Sequence, residues 1–413
     1  MSEKSTPSTR FDGFTNAWEL RQASHTVPAV RFTADDGSDY PEWEEKKLGD
    51  LCESIASGKT RKSTEGHVPL WGSSGLLGHT KEAEFEGDYL LIGRVGAAGS
   101  VRHYVGEFSA SDNTLVIQPI FHIISSLWLT GFLKHFNLSR LTFGSSQPLI
   151  TATQLKRLRV FTPKLQEQQK IASLLSSVDE TITLCQRKLD LLTQAKKALM
   201  QQIFSQQLRF KADDGSDFPE WEEKKLSTVA SIHARIGWQN LRRDEFLSKG
   251  DYLLITGTDF SNGKVNFATC HYVDQKRYDQ DPHIQVDNGT ILVTKDGTLG
   301  KVALVENLNL PATLNAGVFA VKVTTKEVSP KFLYYWLTAP MLLEYAAMNS
   351  TGGTIKHLNQ EILVAFPIGL PSLPEQHKIA SCLSSADALI DQARAELEQW
   401  QEVKKSLLQQ LFV

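Results

Sequence analysis

The sequence predicts two α/β (α+β) domains alternating with two long helices that pair as an antiparallel coiled coil, all related by a pseudo-two-fold internal duplication. Three observations predict this. Residues 31–48, RFTADDGSDYPEWEEKKL, return at 209–226 as RFKADDGSDFPEWEEKKL with 16 of 18 positions identical, and 165–204 matches 373–412 at 19 of 40. Self-similarity of this kind marks a duplicated architecture and takes precedence over local propensity. Both segments of the second pair, 165–204 and 373–412, carry an apolar heptad. Between the repeated segments lie short β-branched and aromatic runs bounded by Gly, Asp and Asn, the pattern of strands.

In chain order, residues 1–30 form an N-terminal extension in which Arg10-Phe11 and Trp18-Glu19 resemble a degenerate third copy of the repeat start. Residues 31–164 make the first α/β domain, opening on the repeat start 31–48, and 165–208 the first long helix. Residues 209–372 make the second domain, opening on 209–226, and 373–413 the second long helix. The first pair of repeats is offset by 178 residues and the second by 208, so the second insert is 30 residues longer. Some insert positions still correspond: Trp128-Leu129-Thr130 with Trp336-Leu337-Thr338, Gly144 with Gly352, and the turn Gly96–Gly99 with Gly297–Gly300. Strands are expected at Tyr89–Ile92, Leu115–Ile117, Tyr252–Ile255, Ile291–Val293 and Val318–Val321, and helices near Ile123–Phe136 and Pro330–Met348.

In the first long helix Ile171, Val178, Cys185, Leu192 and Leu199 recur every seven residues, with Leu175, Ile182, Leu189 and Ile203 four residues after members of that series. Ile379, Leu383, Ala386, Ile390, Ala393, Leu397, Trp400, Leu407 and Leu411 hold the equivalent places in the second. Lys196 and Lys404 interrupt both seams at the same point. About 40 residues at 1.5 Å each make a rod of roughly 60 Å. One apolar stripe needs a partner, and its own duplicate supplies one.

Composition narrows the class. A hydrophobic share of 41% and a charged share of 22% are those of a folded globular protein. The most apolar stretch, Phe121–Phe136, is broken by His122, Ser125, Ser126, Lys134 and His135, so no membrane association is expected, and the polar start Met1–Arg10 suggests a cytoplasmic protein. Cys52, Cys185, Cys270 and Cys382 form no CxxC pair, which argues against disulfides and thiolate metal sites. No phosphate loop, no Asn/Asp-Pro-Pro-aromatic methyltransferase signature and no HExxH occur, so neither a catalytic site nor a cofactor is expected in this chain. Asp35-Asp36-Gly37-Ser38-Asp39 lacks EF-hand spacing and reads as a turn ahead of the Trp43 anchor; Trp221 anchors the second copy.

The Trp-Glu-Glu-Lys-Lys-Leu start, the Pro-x-Leu-x-Glu-Gln-x-Lys-Ile-Ala helix start at Pro163–Ala172 and Pro371–Ala380, and the Gln-Gln-x-Phe helix end, all doubled around two unlike inserts, resemble the specificity (S) subunit of type I restriction-modification enzymes. The resemblance spans almost the whole chain from Arg31 to Val413. It implies two target recognition domains, each reading one half of a split target in double-stranded DNA. It also implies spacer helices that set the gap and dock two methyltransferase subunits, which bind S-adenosylmethionine. A nuclease-translocase restriction subunit using ATP and Mg completes such a complex. Alternatives are a specificity subunit of a related restriction-modification or defence system outside type I, a protein-binding scaffold, and an enzyme using His103 or His357.

Arg and Lys read guanine, Asn and Gln read adenine, and Ser and Thr read either. The first insert offers Lys59, Arg61, Lys62, Ser73, Ser74, Arg94, Arg102, Ser145, Ser146 and Gln147. The second offers Arg235, Trp238, Gln239, Asn240, Arg242, Arg243, Lys264, Lys295, Thr354 and Lys356. The Gly-rich turns around Arg94 and Lys295 also serve as tight hairpins, where Gly supplies positive φ. A net charge of −3 argues against DNA until it is partitioned. Residues 49–164 hold 12 basic against 9 acidic groups and residues 227–372 hold 13 of each, so the acidity lies in the duplicated framework. Weak DNA binding by the isolated chain is expected.

Overall fold

The computed structural model describes residues 19–20, 28, 30–61, 66–142, 148–236, 241–296, 299–349 and 358–412. They divide into two compact units, one of residues 1–187 with 394–413 and the other of residues 188–393. Each unit holds one insert and a part of each long helix, Leu165–Phe204 and Leu373–Leu411.

In the first unit a six-stranded mixed sheet runs in the order Cys52–Ser57, Thr114–Pro119, Phe85–Gly93, Val101–Ala110, Val68–Gly72, Gly75–Thr80. One face, carrying Leu90, Ile92, Leu115 and Ile117, is buried with the helix Ser126–Phe136 and with Ile171, Leu175 and Val178 of the first long helix. Leu407 and Leu411 of the second long helix, with Phe412 just after it, join the same core. Trp43 stands edge-on to Trp128 at 6.1 Å, and Trp128 lies 5.8 Å from Phe412.

The second unit repeats the plan. Its six-stranded sheet runs Ala230–Ala234, Val318–Val323, Ile291–Thr294, Val302–Leu304, Lys264–Val265, Phe260–Ser261. Trp221 lies 6.1 Å from Trp336, which lies 5.1 Å from Phe204 at the end of the first long helix. The extra length of this insert has a structural use. A four-stranded sheet, His271–Val273, Tyr252–Ile255, Ala312–Leu314, Gln285–Val286, shares a core with Leu292 and Ala320 on the sheet's second face. The equivalent face of the first insert, with Leu91 and Val116, is closed by Tyr89 and Phe108, against which Trp71, Phe85 and Tyr104 pack.

Each insert is closed by a short antiparallel pair, Glu44–Lys47 with Arg159–Thr162 and Glu222–Lys225 with Pro367–Leu370. The Glu-Gln of each helix start then binds the unit together. Arg31 makes a two-point pair with Glu167, Nε to Oε1 at 3.0 Å and Nη2 to Oε2 at 2.8 Å, and Arg209 does the same with Glu375 at 3.2 and 2.9 Å. Gln168 accepts from the Ser125 amide and donates to the carbonyls of Ile123 and Pro163. Gln376 accepts from Ser329 and donates to Glu327 and Pro371 in the same way. Buried polar groups require partners, and these pairs supply them.

The lysines that interrupt the heptads are paired across the helices, Lys404 with Asp179 in the first unit and Lys196 with Asp387 in the second. Two helix boundaries differ from expectation. The first long helix ends at Phe204, the chain leaving through Gln206 at φ +59° with the Leu208 amide on the Gln202 carbonyl. The stretch Pro330–Met348 is two helices, Pro330–Thr338 and Met341–Met348, because Ala339 precedes Pro340 and is held extended at ψ 151°. Asp35–Asp39 is a turn: Asp36 Oδ1 accepts from the amide and hydroxyl of Ser38 around Gly37 at φ +82°, and Asp214 with Ser216 repeats it.

Candidate nucleic-acid interface

In the first unit the Gly-rich turn joins the strands Phe85–Gly93 and Val101–Ala110. The Gly93 amide donates to Ser100 O and the Gly99 amide to Gly93 O. Gly99 has φ +89°, and a Cβ there would meet Ser139 N at 2.7 Å, so both conformation and space demand glycine. Arg94 heads the turn. Its amide donates to Asn113 O and its carbonyl accepts from the Ile150 amide, so the backbone is tied on both sides. Its Nη1 reaches only the Asp112 carbonyl at 3.3 Å, and its enclosed Nε has no partner among the described residues.

Beside it, the Ser100 hydroxyl donates to Ser73 O at 2.7 Å, and Ser74 is exposed. Arg102 lies over the Trp71 ring, 4.4 Å from the centroid. Glu84 accepts from the Lys59 amide and the Thr60 hydroxyl, which pins that loop by its backbone while the side chains of Lys59 and Arg61 stay exposed.

The second unit has the same turn built from other residues. Thr294 N donates to Lys301 O, Gly300 N to Thr294 O, Lys295 N to Gly317 O, and Leu358 N to Lys295 O. Lys295 is therefore the equivalent of Arg94; its Nζ lies 5.6 Å from the centre of Phe319. A cavity of about 460 Å³ opens here, lined among others by Lys295, Asp296, Asn359 and Gln360. Asn359 precedes the helix Gln360–Ala365 but makes no side-chain cap, so its amide is exposed for another partner. Nothing in the local sequence singled out Asn359 or Trp71; strand pairing places Trp71, and the Leu358 amide on Lys295 O places Asn359.

Two expected DNA cations are engaged elsewhere. Arg235 is a correction: it is buried, with Nε on Leu314 O, Nη2 on the Thr313 hydroxyl and Nη1 on Gln280, fastening the extra sheet to the main one. Ile55 and Ile232 hold equivalent sheet positions, which makes Gly58 the counterpart of Arg235. Lys264 is turned to the second long helix and pairs with Asp391 at 2.8 Å. Arg242 is exposed at the start of a turn in which its amide and the Arg277 guanidinium hold the Glu245 carboxyl below its usual range. Lys62, Ser145, Ser146, Gln147, Trp238, Gln239, Asn240, Thr354, Lys356, His357, the side chain of Arg243 and the Arg10–Trp18 segment lie outside the described residues. His103 bonds Asp88, whose other oxygen accepts from Ser126, so the carboxylate stands between the hydroxyl and the imidazole. No group of His, Cys, Asp and Glu among the described residues could hold a metal ion, and no described helix is long and apolar enough to cross a membrane.

Two unlike mixed-sheet inserts, each with a cation-headed Gly turn, alternate with two long helices in a duplicated chain. A family model described as the type I restriction modification DNA specificity domain matches residues 40–194 and 219–399. The chain is 27% identical over 407 residues to the putative type I restriction enzyme MjaX specificity subunit of Methanocaldococcus jannaschii, covering 90% of this chain and 93% of that protein. It is 32% identical over 120 residues to the EcoprrI specificity subunit of Escherichia coli, covering 29% and 30%. The crystal structure of the type I S subunit from M. genitalium superposes with a TM-score of 0.59 at 18% identity, covering 90% of this chain and 96% of that one. The chain belongs to the type I restriction-modification DNA specificity family. Its function is DNA sequence recognition within a restriction-modification system.

Proposed function

We propose that the chain reads a bipartite, asymmetric target in double-stranded DNA, one half with each insert. Residues 31–164 and 209–372 are the two target recognition domains, 165–208 and 373–413 the segments that carry the spacer helices, and 1–30 an extension before them. The helices pair as an antiparallel coiled coil that sets the gap between half-sites and docks two methyltransferase subunits and the restriction subunits. The chain itself is non-catalytic and binds no cofactor. S-adenosylmethionine belongs to the methyltransferase, and ATP with Mg to the restriction partner.

The observation that carries this reading is the equivalence of Arg94 and Lys295. Identical backbone hydrogen bonds hold two different cations at the head of the same turn in two inserts of different length. A cation held at the same place in both inserts suits a backbone phosphate beside each half-site, and the unlike inserts around it suit unequal half-sites. Neither cation has a carboxylate partner among the described residues, in contrast to Lys264, Lys322 and Arg277. The test is to replace residues 227–372 by the corresponding insert of a related chain and map methylated adenines in a host that supplies the methyltransferase. One half of the methylated sequence should change; change in both halves, or in neither, would overturn the reading.

A further inference from the structure

We propose that Arg102 is a specificity-determining residue that reads a guanine of the first half-site, with Trp71 as its positioning residue. The inference rests on the DNA-recognition reading above and adds a residue and a base to it. Arg102 sits opposite Leu91, at the turn end of a paired strand and not in a loop. Its guanidinium lies over the Trp71 indole at 4.4 Å, and the indole is itself held by Tyr104 at 5.5 Å. The Trp71 carbonyl accepts from Ser111 N at 2.9 Å and the Thr114 hydroxyl at 3.3 Å, which fixes the platform to the turn between the strands Val101–Ala110 and Thr114–Pro119.

Stacking sets the plane of a guanidinium while leaving its in-plane N–H groups open, and a planar fork is what the O6 and N7 atoms of guanine accept. Among the described residues the Arg102 side chain makes no ion pair or hydrogen bond. Glycine at position 75 leaves room beside it: a Cβ built there would lie 4.0 Å from Arg102 Nη2. Ser73, two residues before Gly75, is held there by the Ser100 hydroxyl on its carbonyl. Arg94, tied by its own backbone and not stacked, suits a phosphate, which needs only charge. Arg102 carries the geometry that a base edge requires.

The test uses the full chain in complex with its methyltransferase partner. Adenine-methylation mapping defines the target, and the half left unchanged by replacing residues 227–372 is the first half-site. Duplexes in which each guanine of that half-site is replaced in turn by 7-deazaguanine, which lacks the N7 acceptor, are then bound to the native complex. Binding should fall roughly 5- to 100-fold at one guanine, the range of a bidentate base contact. Arg102→Lys and Trp71→Leu should lose discrimination at that position and leave the second half-site read as before.

Lysine keeps the charge and loses the fork, so a phosphate contact would survive Arg102→Lys. Native discrimination in Arg102→Lys, or a native complex insensitive to every 7-deazaguanine, overturns the proposal. The modified-DNA arm uses the unaltered chain, so a variant that fails to fold does not remove the test. A complex with no base-selective target at all would instead refute the DNA reading on which the proposal rests.

Discussion

Arg31 and Glu167, 136 residues apart, form a two-point ion pair that is 4% and 0% exposed. Arg209 and Glu375 repeat it with the arginine 22% exposed. The pair joins the first residue of each repeat to the first turn of the helix that follows the insert, so the whole intervening domain is closed between them.

Breaking the first pair should cost more than breaking the second. Removing one partner of a buried pair leaves a charge without compensation, about 3–5 kcal/mol. Arg31→Met should approach that figure in urea denaturation. Arg209→Met should cost clearly less, because water reaches that arginine and the Trp221 indole still donates to Glu375 at 3.2 Å. Equal losses in the two variants would show that burial does not govern the pair.

The two interhelical lysines should separate in the same sense. Lys404 and Asp179 are 29% and 49% exposed, and an exposed pair contributes less than about 1 kcal/mol. Lys404→Met should leave the melting temperature nearly unchanged. Lys196 is 15% exposed and pairs with Asp387, which also accepts from the Tyr335 hydroxyl at 2.7 Å. Lys196→Met should lower the melting temperature more, and Tyr335→Phe should weaken the same junction.

Arg94 and Lys295 should behave as phosphate contacts. In complex with the methyltransferase, changing either to Ala should reduce the slope of log K against log salt by about one, with little dependence on target sequence. A sequence-selective effect from Arg94→Ala would assign it to a base instead.

Burial pushes the Cys52 thiol up to about 12, and burial followed by the nearby Asp259 charge pushes Cys270 to about 12. At pH 8 iodoacetamide should label half-exposed Cys382 in the native chain and reach Cys52 and Cys270 only on unfolding. The sign of the linkage follows from the raised values. Above pH 9 the unfolded thiols ionise while the folded ones keep their protons, so stability falls as pH rises from 9 toward 12. The Cys52→Ala/Cys270→Ala double variant should flatten that fall in denaturation curves taken across this range.

Much of the fold was legible because its signals are periodic or repeated. Heptads place the helices, and Tyr252–Ile255 is a strand as its β-branched and aromatic character requires. The break at Ala339 was also available from Pro340, yet the apolar run masked it. The site was less legible. Arg94 and Lys295 stand out beside their glycines, but their equivalence appears only in the hydrogen bonds around them.

By itself the sequence determined that this protein is a duplicated frame around two divergent inserts, since identity at a fixed offset and a seven-residue period depend on nothing beyond the chain. Tertiary structure alone decided which charges remain available. Arg235 looks like a neighbour of Arg242 and Arg243 in the sequence, yet it is buried because the extra sheet brings Leu314 O and Thr313 over it. Lys264 pairs with a residue 127 positions away, and the Arg102 guanidinium lies over an indole 31 residues before it. Ion pairing and stacking act through space over a few ångströms, and no local pattern records which distant residue will be there.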